Sequence, residues 1–282
     1  MKLKCNCCDG IYSSFDVHFT SICDNKCRHC IDGHSKGLGI SKPNVSSIVS
    51  TIVNNQFGVD DVLFLGGEPC LWLDELIDCV FEIKKLTDLK VYVTTSVPKN
   101  CFDNREKFVR LLELVDGLNI SAQHYDKKIA DDIRNSISMF DRNSFYMSLP
   151  FKEKIRINLN IVYPFLYTKN EILKCVQFFD RGGFGSIKLT ELQHSSECYR
   201  SFEDVFNIKM PSPFSDGCQT YVNDYFPGVK TPVLLKRSCF LCEDTLKASS
   251  IDGVKSVIRL FISKKNNWGV IYEDGSLRKG WI

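Results

Sequence analysis

Three cysteines within eight residues are the feature that most constrains this chain. Cys23, Cys27 and Cys30 form a C-x3-C-x2-C loop directly after the apolar residues 17–19. Thiolates spaced this closely can hold three corners of a [4Fe–4S] cube, because cysteine thiolate is the usual ligand of such clusters. No fourth cysteine follows at matching spacing. The loop therefore predicts a cluster in which one iron is left open for another ligand.

A Gly-Gly-Glu-Pro turn is the second motif. The apolar residues 62–65 have the length of a strand and stop at Gly66, Gly67, Glu68 and Pro69. Two glycines without Cβ atoms let a ligand lie against the backbone. The glutamate adds an acceptor, and the proline fixes the direction in which the chain leaves. The pattern predicts a ligand-binding turn at the end of a strand.

Together, and in this order at strand ends, the two motifs resemble the radical S-adenosylmethionine (SAM) superfamily, over about residues 15–192. The resemblance implies that the three cysteines hold the cluster, that the methionine amine and carboxylate of SAM fill the open iron, and that the turn contacts the amine. It also implies an activity. An electron from the cluster breaks the bond between sulfur and ribose, and the resulting 5′-deoxyadenosyl radical removes hydrogen from a substrate. The alternative is a surface zinc loop beside an unrelated tight turn.

Composition describes an ordinary globular protein. Of 282 residues, 44% are apolar and 25% are charged, and the net charge of +2 gives no global nucleic-acid footprint. A nucleic-acid polymer is therefore not the expected partner. No apolar run reaches the ~18 residues of a membrane span, and we expect no signal peptide. Fourteen cysteines without a secretion signal indicate a reducing compartment and metal binding, so we expect a cytoplasmic protein.

Alternating strand and helix patterns predict the fold class. We expect an α/β fold, a partial (β/α)6 TIM-like barrel of the radical SAM type, over residues 16–193. A cysteine-rich segment, 1–15, precedes it. A loop-rich extension, 194–282, follows as a candidate substrate lid and contains a β-hairpin of residues 257–263 and 268–272. The predicted barrel strands are 16–20, 62–65, 90–95, 117–121, 154–162 and 186–191.

The resemblance also assigns later residues to SAM. Thr95 ends the third strand with a hydroxyl, and Ser121 ends the fourth, where the family often places a polar residue against the ribose. Arg134 lies in the next helix. Its guanidinium can fork onto a carboxylate, and the family often puts such an arginine on the methionine carboxylate. Glu191 ends the sixth strand, where family members touch adenine or substrate.

Strand five and the cysteine loop supply the remaining residues of the predicted SAM site. Asn158 and Asn160 on strand five share one face of the sheet, so we expect at least one to look into the barrel. His29 lies inside the cysteine loop, where many relatives carry an aromatic residue near adenine. We expect it to cover the cluster and pack on adenine.

A second group of cysteines lies towards the two ends of the chain: Cys5, Cys7, Cys8, Cys218, Cys239 and Cys242. The last two have the spacing of a metal knuckle. Many relatives carry another iron–sulfur site after the barrel. A second [4Fe–4S] cluster, a structural zinc and a set of reduced thiols are all open.

Three functional hypotheses follow. The first is a radical SAM enzyme that acts on a small molecule, a nucleobase or nucleoside, or a peptide, with electrons from a reductase such as a flavodoxin or ferredoxin. The second is an aminomutase-like isomerase that uses SAM, because the Cys-Arg-His-Cys form also occurs in lysine aminomutases. The third is a non-catalytic zinc or iron–sulfur protein. Isomerisation, oxidation, bond formation and methylthiolation are all open as outcomes of the reaction.

Overall fold

An open, mostly parallel sheet organises the residues that this computed structural model describes, which are 14–30, 39, 42–192, 197–210, 219–238 and 269–279. Its strands are β1 (Ser14–His18), β2 (Asp61–Leu65), β3 (Lys90–Thr95), β4 (Gly117–Ser121), β5 (Ile155–Ile161), β6 (Ser186–Glu191), β7 (Gln219–Tyr221), β8 (Val233–Lys236), β9 (Gly269–Ile271) and β10 (Leu277–Lys279). The α-helices are α1 (Val45–Asn55), α2 (Leu73–Leu86), α3 (Lys99–Asp103), α4 (Arg105–Leu114), α5 (Lys127–Arg134), α6 (Arg142–Met147), α7 (Lys169–Asp180) and α8 (Phe202–Phe206). None of the described helices is both long and apolar enough to cross a membrane.

Strands β1 to β6 lie side by side in chain order, and every neighbouring pair is parallel. At one side, β9 pairs with β1 in parallel and carries the antiparallel β10. At the other side, β8 pairs with β6 in parallel and carries the antiparallel β7. The sheet is therefore open rather than closed. The predicted partial (β/α)6 barrel is confirmed, and the region after residue 194 adds strands to both ends of the same sheet.

The two faces of the sheet differ sharply. On β5, Ile157 and Leu159 are fully buried, whereas Arg156, Asn158 and Asn160 are only partly buried. The same alternation runs along the neighbouring strands, as expected for side chains that point to opposite faces. The apolar face forms the core with the helices, and burial of each such side chain contributes roughly 1.5–3 kcal/mol. The polar face is the inner, concave wall of the partial barrel.

Helix caps fix the connections. The side chain of Asn44 accepts a hydrogen bond from the backbone N–H of Ser47, so α1 begins directly after this cap. Asp126 caps α5 in the same way, through the backbone of Ile129. That helix ends at Asn135 in the left-handed conformation, which asparagine tolerates.

The C-terminal hairpin differs from the prediction. The strand Gly269–Ile271 pairs with Leu277–Lys279 across the turn at Asp274 and Gly275. The predicted partner strand, residues 257–263, lies outside the described residues. Gly275 has φ +84°, which suits glycine at this turn. Periodicity places a strand near residues 268–272 but does not reveal its described partners, which are β1 and β10. Strands β7 and β8 were also missed, since the prolines around them indicated only loop.

Candidate functional site

The predicted motifs meet at one end of the parallel strands. The cysteine loop follows β1, the Gly-Gly-Glu-Pro turn follows β2, and Ser96 follows β3. Active sites of parallel α/β proteins lie at the carboxyl ends of the strands, where loops from several strands converge. The structure therefore brings the predicted motifs together at the edge of the sheet where such sites lie.

The cysteine loop lies directly on the glycine turn. The backbone N–H of Gly67 donates to the Thr20 carbonyl at 2.7 Å, and that of Glu68 donates to the Ile22 carbonyl at 2.7 Å. A Cβ atom on Gly67 would lie 2.2 Å from the Ile22 carbonyl oxygen. The absence of a side chain at Gly67 therefore leaves room for the Ile22 backbone of the cysteine loop. The prediction that the two glycines leave room for a ligand is corrected at Gly67, where the space holds the backbone of the cysteine loop.

Glu68 is a buried anchor. One carboxylate oxygen accepts hydrogen bonds from the Thr95 hydroxyl at 2.6 Å and from the backbone of Cys70 at 3.1 Å. The other accepts from the backbone N–H and the hydroxyl of Ser96, both at 2.7 Å. Burial raises the pKa of Glu68, and the bonds from Ser96 and Thr95 oppose that rise. Both oxygens are engaged within the protein, so Glu68 and Thr95 join the turn to the end of β3.

Glu68→Gln should lower the free energy of unfolding by about 1.5–3 kcal/mol. The new amide NH2 group would face the backbone N–H and the hydroxyl of Ser96, which are also donors. Urea unfolding measures the change. Glu82→Gln, which touches only an exposed pair with Lys85, is the control and should stay within about 0.5 kcal/mol. Equal stability of the two variants would contradict the anchoring role.

Asn25, which the sequence analysis missed, holds the cysteine loop from inside. Its side-chain amide donates to the Ser96 hydroxyl at 2.8 Å and accepts from the Ser136 hydroxyl at 2.9 Å. Its backbone N–H lies 3.4 Å from the sulfur of Cys23 and donates to it. A hydrogen bond to sulfur stabilises thiolate, so Asn25 both fixes the loop and favours its ligand form. Its position between Cys23 and Cys27 is the sequence feature from which this role could have been predicted.

Arg134 and Ser121 are brought together at the end of β4. The buried guanidinium donates to the backbone carbonyls of Ser121 at 3.1 Å and Ala122 at 2.6 Å. The Arg134 carbonyl accepts from the backbone of Lys26 in the cysteine loop at 2.9 Å. Its Nε is buried without a hydrogen-bond partner among the described residues. Burial lowers the pKa of Arg134.

A hydrogen-bonded row of His29, Asn160 and Gln123 connects the cysteine loop to β5. The Asn160 amide lies 3.2 Å from His29 Nε2 and donates to Gln123 at 3.3 Å. Burial lowers the pKa of His29 to about 4, so the ring is neutral at pH 7 and Nε2 can accept. Gln123 was not predicted, and it sits at φ +72°. On the same strand, the side-chain oxygen of Asn158 is buried without a partner in the described chain.

Glu191 occupies a different environment from the predicted contact with adenine or substrate. Its carboxylate accepts hydrogen bonds from the backbone of Phe202 at 2.8 Å and of Ser238 at 2.7 Å. Burial raises its pKa, and these bonds oppose the rise. The structure therefore makes Glu191 an anchor for the start of α8 and the end of β8.

A second missed group lies behind the cysteine loop. Glu273, in the turn after β9, bonds His18 Nδ1 at 3.0 Å and accepts from the Ser21 hydroxyl. Burial would raise the pKa of Glu273, but the bonds from His18 and Ser21 outweigh it and the pKa is lowered. Its backbone carbonyl also accepts from Asn44 at 2.7 Å. The C-terminal hairpin thus supports the base of the loop.

The donor set fits an iron–sulfur cluster. Removal from water raises the pKa of Cys23 to about 12 and that of Cys27 to about 11, so binding a cluster would release protons from these thiols. Within the described ranges, no three His, Cys, Asp or Glu side chains converge to hold one metal ion. A cubane does not require such convergence, because each thiolate binds a different iron. Of the second cysteine group, Cys5, Cys7, Cys8, Cys218, Cys239 and Cys242 all lie outside the described residues.

Comparison with known proteins agrees with this site. Residues 17–143 match the family model described as "Radical SAM superfamily". Comparison with curated proteins finds no match. The matched segment contains both the cysteine loop and the glycine turn, so the family prediction is confirmed for residues 17–143.

Solved structures share the fold. Streptococcus suis SuiB aligns with a TM-score of 0.61 and 16% identity over 95% of this chain and 60% of SuiB. SuiB bound to precursor peptide SuiA aligns with a TM-score of 0.65 and 16% identity over 95% of this chain and 59% of SuiB. The anSMEcpe structure with bound AdoMet and Cp18Cys peptide aligns with a TM-score of 0.56 and 14% identity over 95% of this chain and 73% of that protein. The chain thus spans about 60% of the length of SuiB.

Proposed function

The chain carries a radical SAM domain over residues 17–143, and from this premise we propose that it is an enzyme that cleaves SAM reductively at a [4Fe–4S] cluster and removes hydrogen from a peptide. The observation that carries the proposal is the contact between the cysteine loop and the glycine turn, because it presents three free thiols at the carboxyl ends of the strands.

Cys23, Cys27 and Cys30 would hold the cluster. When bound, the cluster supplies an electron and SAM supplies the carbon radical that takes hydrogen from the substrate. The protein would position these groups, because Glu68 and Asn25 fix the cysteine loop and Glu273 supports its base. Enclosure by the concave sheet would limit access of water to the reacting centre.

Two unpaired polar atoms support SAM binding at this wall. Arg134 Nε is a buried donor, and the side-chain oxygen of Asn158 is a buried acceptor, each without a partner in the described chain. Buried polar groups normally have hydrogen-bond partners. A ligand with a carboxylate to accept from Arg134 and an ammonium group to donate to Asn158 would supply both partners. The proposed SAM contacts are His29, Ser121, Asn158, Asn160, Arg134 and the backbone of the turn from Gly66 to Pro69. Glu68 and Thr95 would hold the turn against the end of β3. Glu191 would hold the start of α8 and the end of β8.

A peptide substrate is supported by the two structural relatives that contain bound peptides, SuiB with SuiA and anSMEcpe with Cp18Cys. Their likeness to this chain concerns the fold, so the substrate class rests on analogy. A flavodoxin or ferredoxin is the proposed electron donor, and a cytoplasmic location remains a prediction.

Mass spectrometry tests the substrate class. Reconstituted protein, SAM and dithionite are incubated without oxygen with peptides encoded beside this reading frame, and with nucleosides as the comparison. We expect one peptide to lose hydrogen, or to gain a new bond, in step with 5′-deoxyadenosine release. Stimulation of 5′-deoxyadenosine release by a nucleoside, with no change in any peptide, would overturn the peptide assignment.

A second metal site is also proposed, on Cys218, Cys239 and Cys242 with one of the N-terminal cysteines. Metal analysis of the Cys23→Ala, Cys27→Ala, Cys30→Ala variant checks it, because this variant lacks the first site. Residual stoichiometric iron would indicate a second [4Fe–4S] cluster, and residual zinc a structural knuckle. A folded variant without metal would contradict the second site.

A further inference from the structure

Three cations form a diagonal row on the inner wall of the sheet. Arg156 on β5, Lys188 on β6 and Lys236 on β8 all occupy the partly buried, concave face. Arg156 lies beside Ser186, and Lys188 lies beside Leu234. Each cation is therefore two residues further along its strand than its neighbour, and the row climbs towards the carboxyl ends of the strands.

No carboxylate within the described residues pairs with any member of this row. Arg156 donates to the Ser186 hydroxyl at 3.1 Å, a neutral partner. The charged groups that act on Lys188 are Lys236 and Arg156, both positive. Desolvation, reinforced by these two cations, lowers the pKa of Lys188 from 10.5 to about 7. Like charges held together without a counter-ion are costly, and ionisable groups perturbed in this way are concentrated at functional sites.

Other cations of this protein show the ordinary arrangement. Lys84 pairs with Asp116 at 2.8 Å, and Arg237 pairs with Glu203 at 2.6 Å. In both pairs a neighbouring carboxylate neutralises the positive charge. The diagonal row differs because it has no carboxylate partner among the described residues and lies on the concave face, where the substrate of the proposed enzyme would lie.

We propose that Arg156, Lys188 and Lys236 form a carboxylate-binding wall that holds an acidic group of the peptide substrate. This inference rests on the proposed function and deepens it, because it selects acidic peptides. A carboxylate matches both the guanidinium fork and the ammonium donors. Its source is either an acidic side chain or the free C-terminus of the peptide.

The position of the row separates it from the proposed methionine end of SAM. The cysteine loop is fastened to the turn after β2, to Arg134 after β4 and, through His29, to Asn160 on β5. Lys188 and Lys236 lie on the next strands beyond β5. A substrate that approaches from β6 and β8 would therefore meet the cations while its reacting carbon faces the cluster side.

Competitive acylation of the reconstituted wild-type protein tests the wall. Trace acetic anhydride is applied at pH 8, and peptide mapping measures the labelling rate of each lysine. Without additions, Lys188 should react at least about tenfold faster than the exposed Lys85, because only the neutral amine is nucleophilic. The added probes are Ac-Ala-Glu-Ala-NH2, Ac-Ala-Gln-Ala with a free carboxylate, Ac-Ala-Gln-Ala-NH2, inorganic phosphate and SAM.

We expect at least one carboxylate peptide to slow labelling of Lys188 by about threefold or more, since a bound anion favours the protonated amine. The neutral peptide should have no effect, and the two carboxylate peptides distinguish side chain from C-terminus. In Arg156→Gln the protection should weaken. Equal protection by the neutral peptide, protection by phosphate alone, or protection by SAM alone would each overturn the proposal.

The outcome is independent of the SAM chemistry. Protection by a carboxylate peptide in a protein that fails to cleave SAM would retain the wall and reject the proposed function. SAM cleavage in a protein whose Lys188 is never protected would reject the wall alone.

Discussion

Gly67→Ala should remove most of the cluster-binding capacity of the protein. The added Cβ would lie 2.2 Å from the Ile22 carbonyl oxygen, a separation that real Cβ atoms essentially never show, so the cysteine loop must shift. The obstacle is backbone, which cannot rotate away as a flexible side chain can. We expect iron after anaerobic reconstitution to fall at least about fivefold from the roughly four irons of one cubane.

Gly183→Ala is the matched control for this variant. Gly183 has φ +68°, and a Cβ there would meet no atom within 4 Å. It should lose about 1 kcal/mol of stability through backbone strain while keeping its iron. Iron and absorption near 400 nm that are the same in Gly67→Ala as in the wild type would contradict the account of the turn.

Cys27→Ala should abolish the cluster and all SAM cleavage. The variant is made in a background in which Cys218, Cys239 and Cys242 are serine, so that iron reports only the first site. The loss of one of three thiolates leaves two adjacent irons of the cube without protein ligands. We expect iron near zero and no detectable 5′-deoxyadenosine.

Cys79→Ala in the same background separates ligand loss from misfolding. Cys79 is a fully buried thiol in α2 and lies away from the cysteine loop. It should keep about four irons per chain even if the fold is somewhat less stable. Equal iron in Cys27→Ala and Cys79→Ala would show that the loop is not the ligand.

Local patterns were sufficient for most of the barrel. Apolar runs place β2 and β3 correctly, because buried parallel strands are continuously or alternately apolar over a few residues. The site follows from topology, since parallel strands bring their carboxyl ends to one edge. The cysteines and the glycine turn therefore had to be neighbours.

Long-range partners could not be predicted in this way. Nothing near Gly67 in the chain reveals that Ile22 will fill the space beside it, and nothing near Ser21 points to Glu273, 252 residues later. Glu191 illustrates the same limit. A carboxylate at a strand end suits a ligand contact and a backbone anchor equally well, and only the positions of Phe202 and Ser238 decide between them.

Analysis of the products from SAM tests the central claim most directly. Reconstituted protein is reduced with dithionite and incubated with SAM without oxygen, and the nucleosides are separated by chromatography with mass detection. The account predicts 5′-deoxyadenosine and methionine in equal amounts, formed slowly without substrate and absent from the Cys27→Ala variant. Release of only 5′-methylthioadenosine or S-adenosylhomocysteine, or of 5′-deoxyadenosine at the same rate from Cys27→Ala, would contradict it.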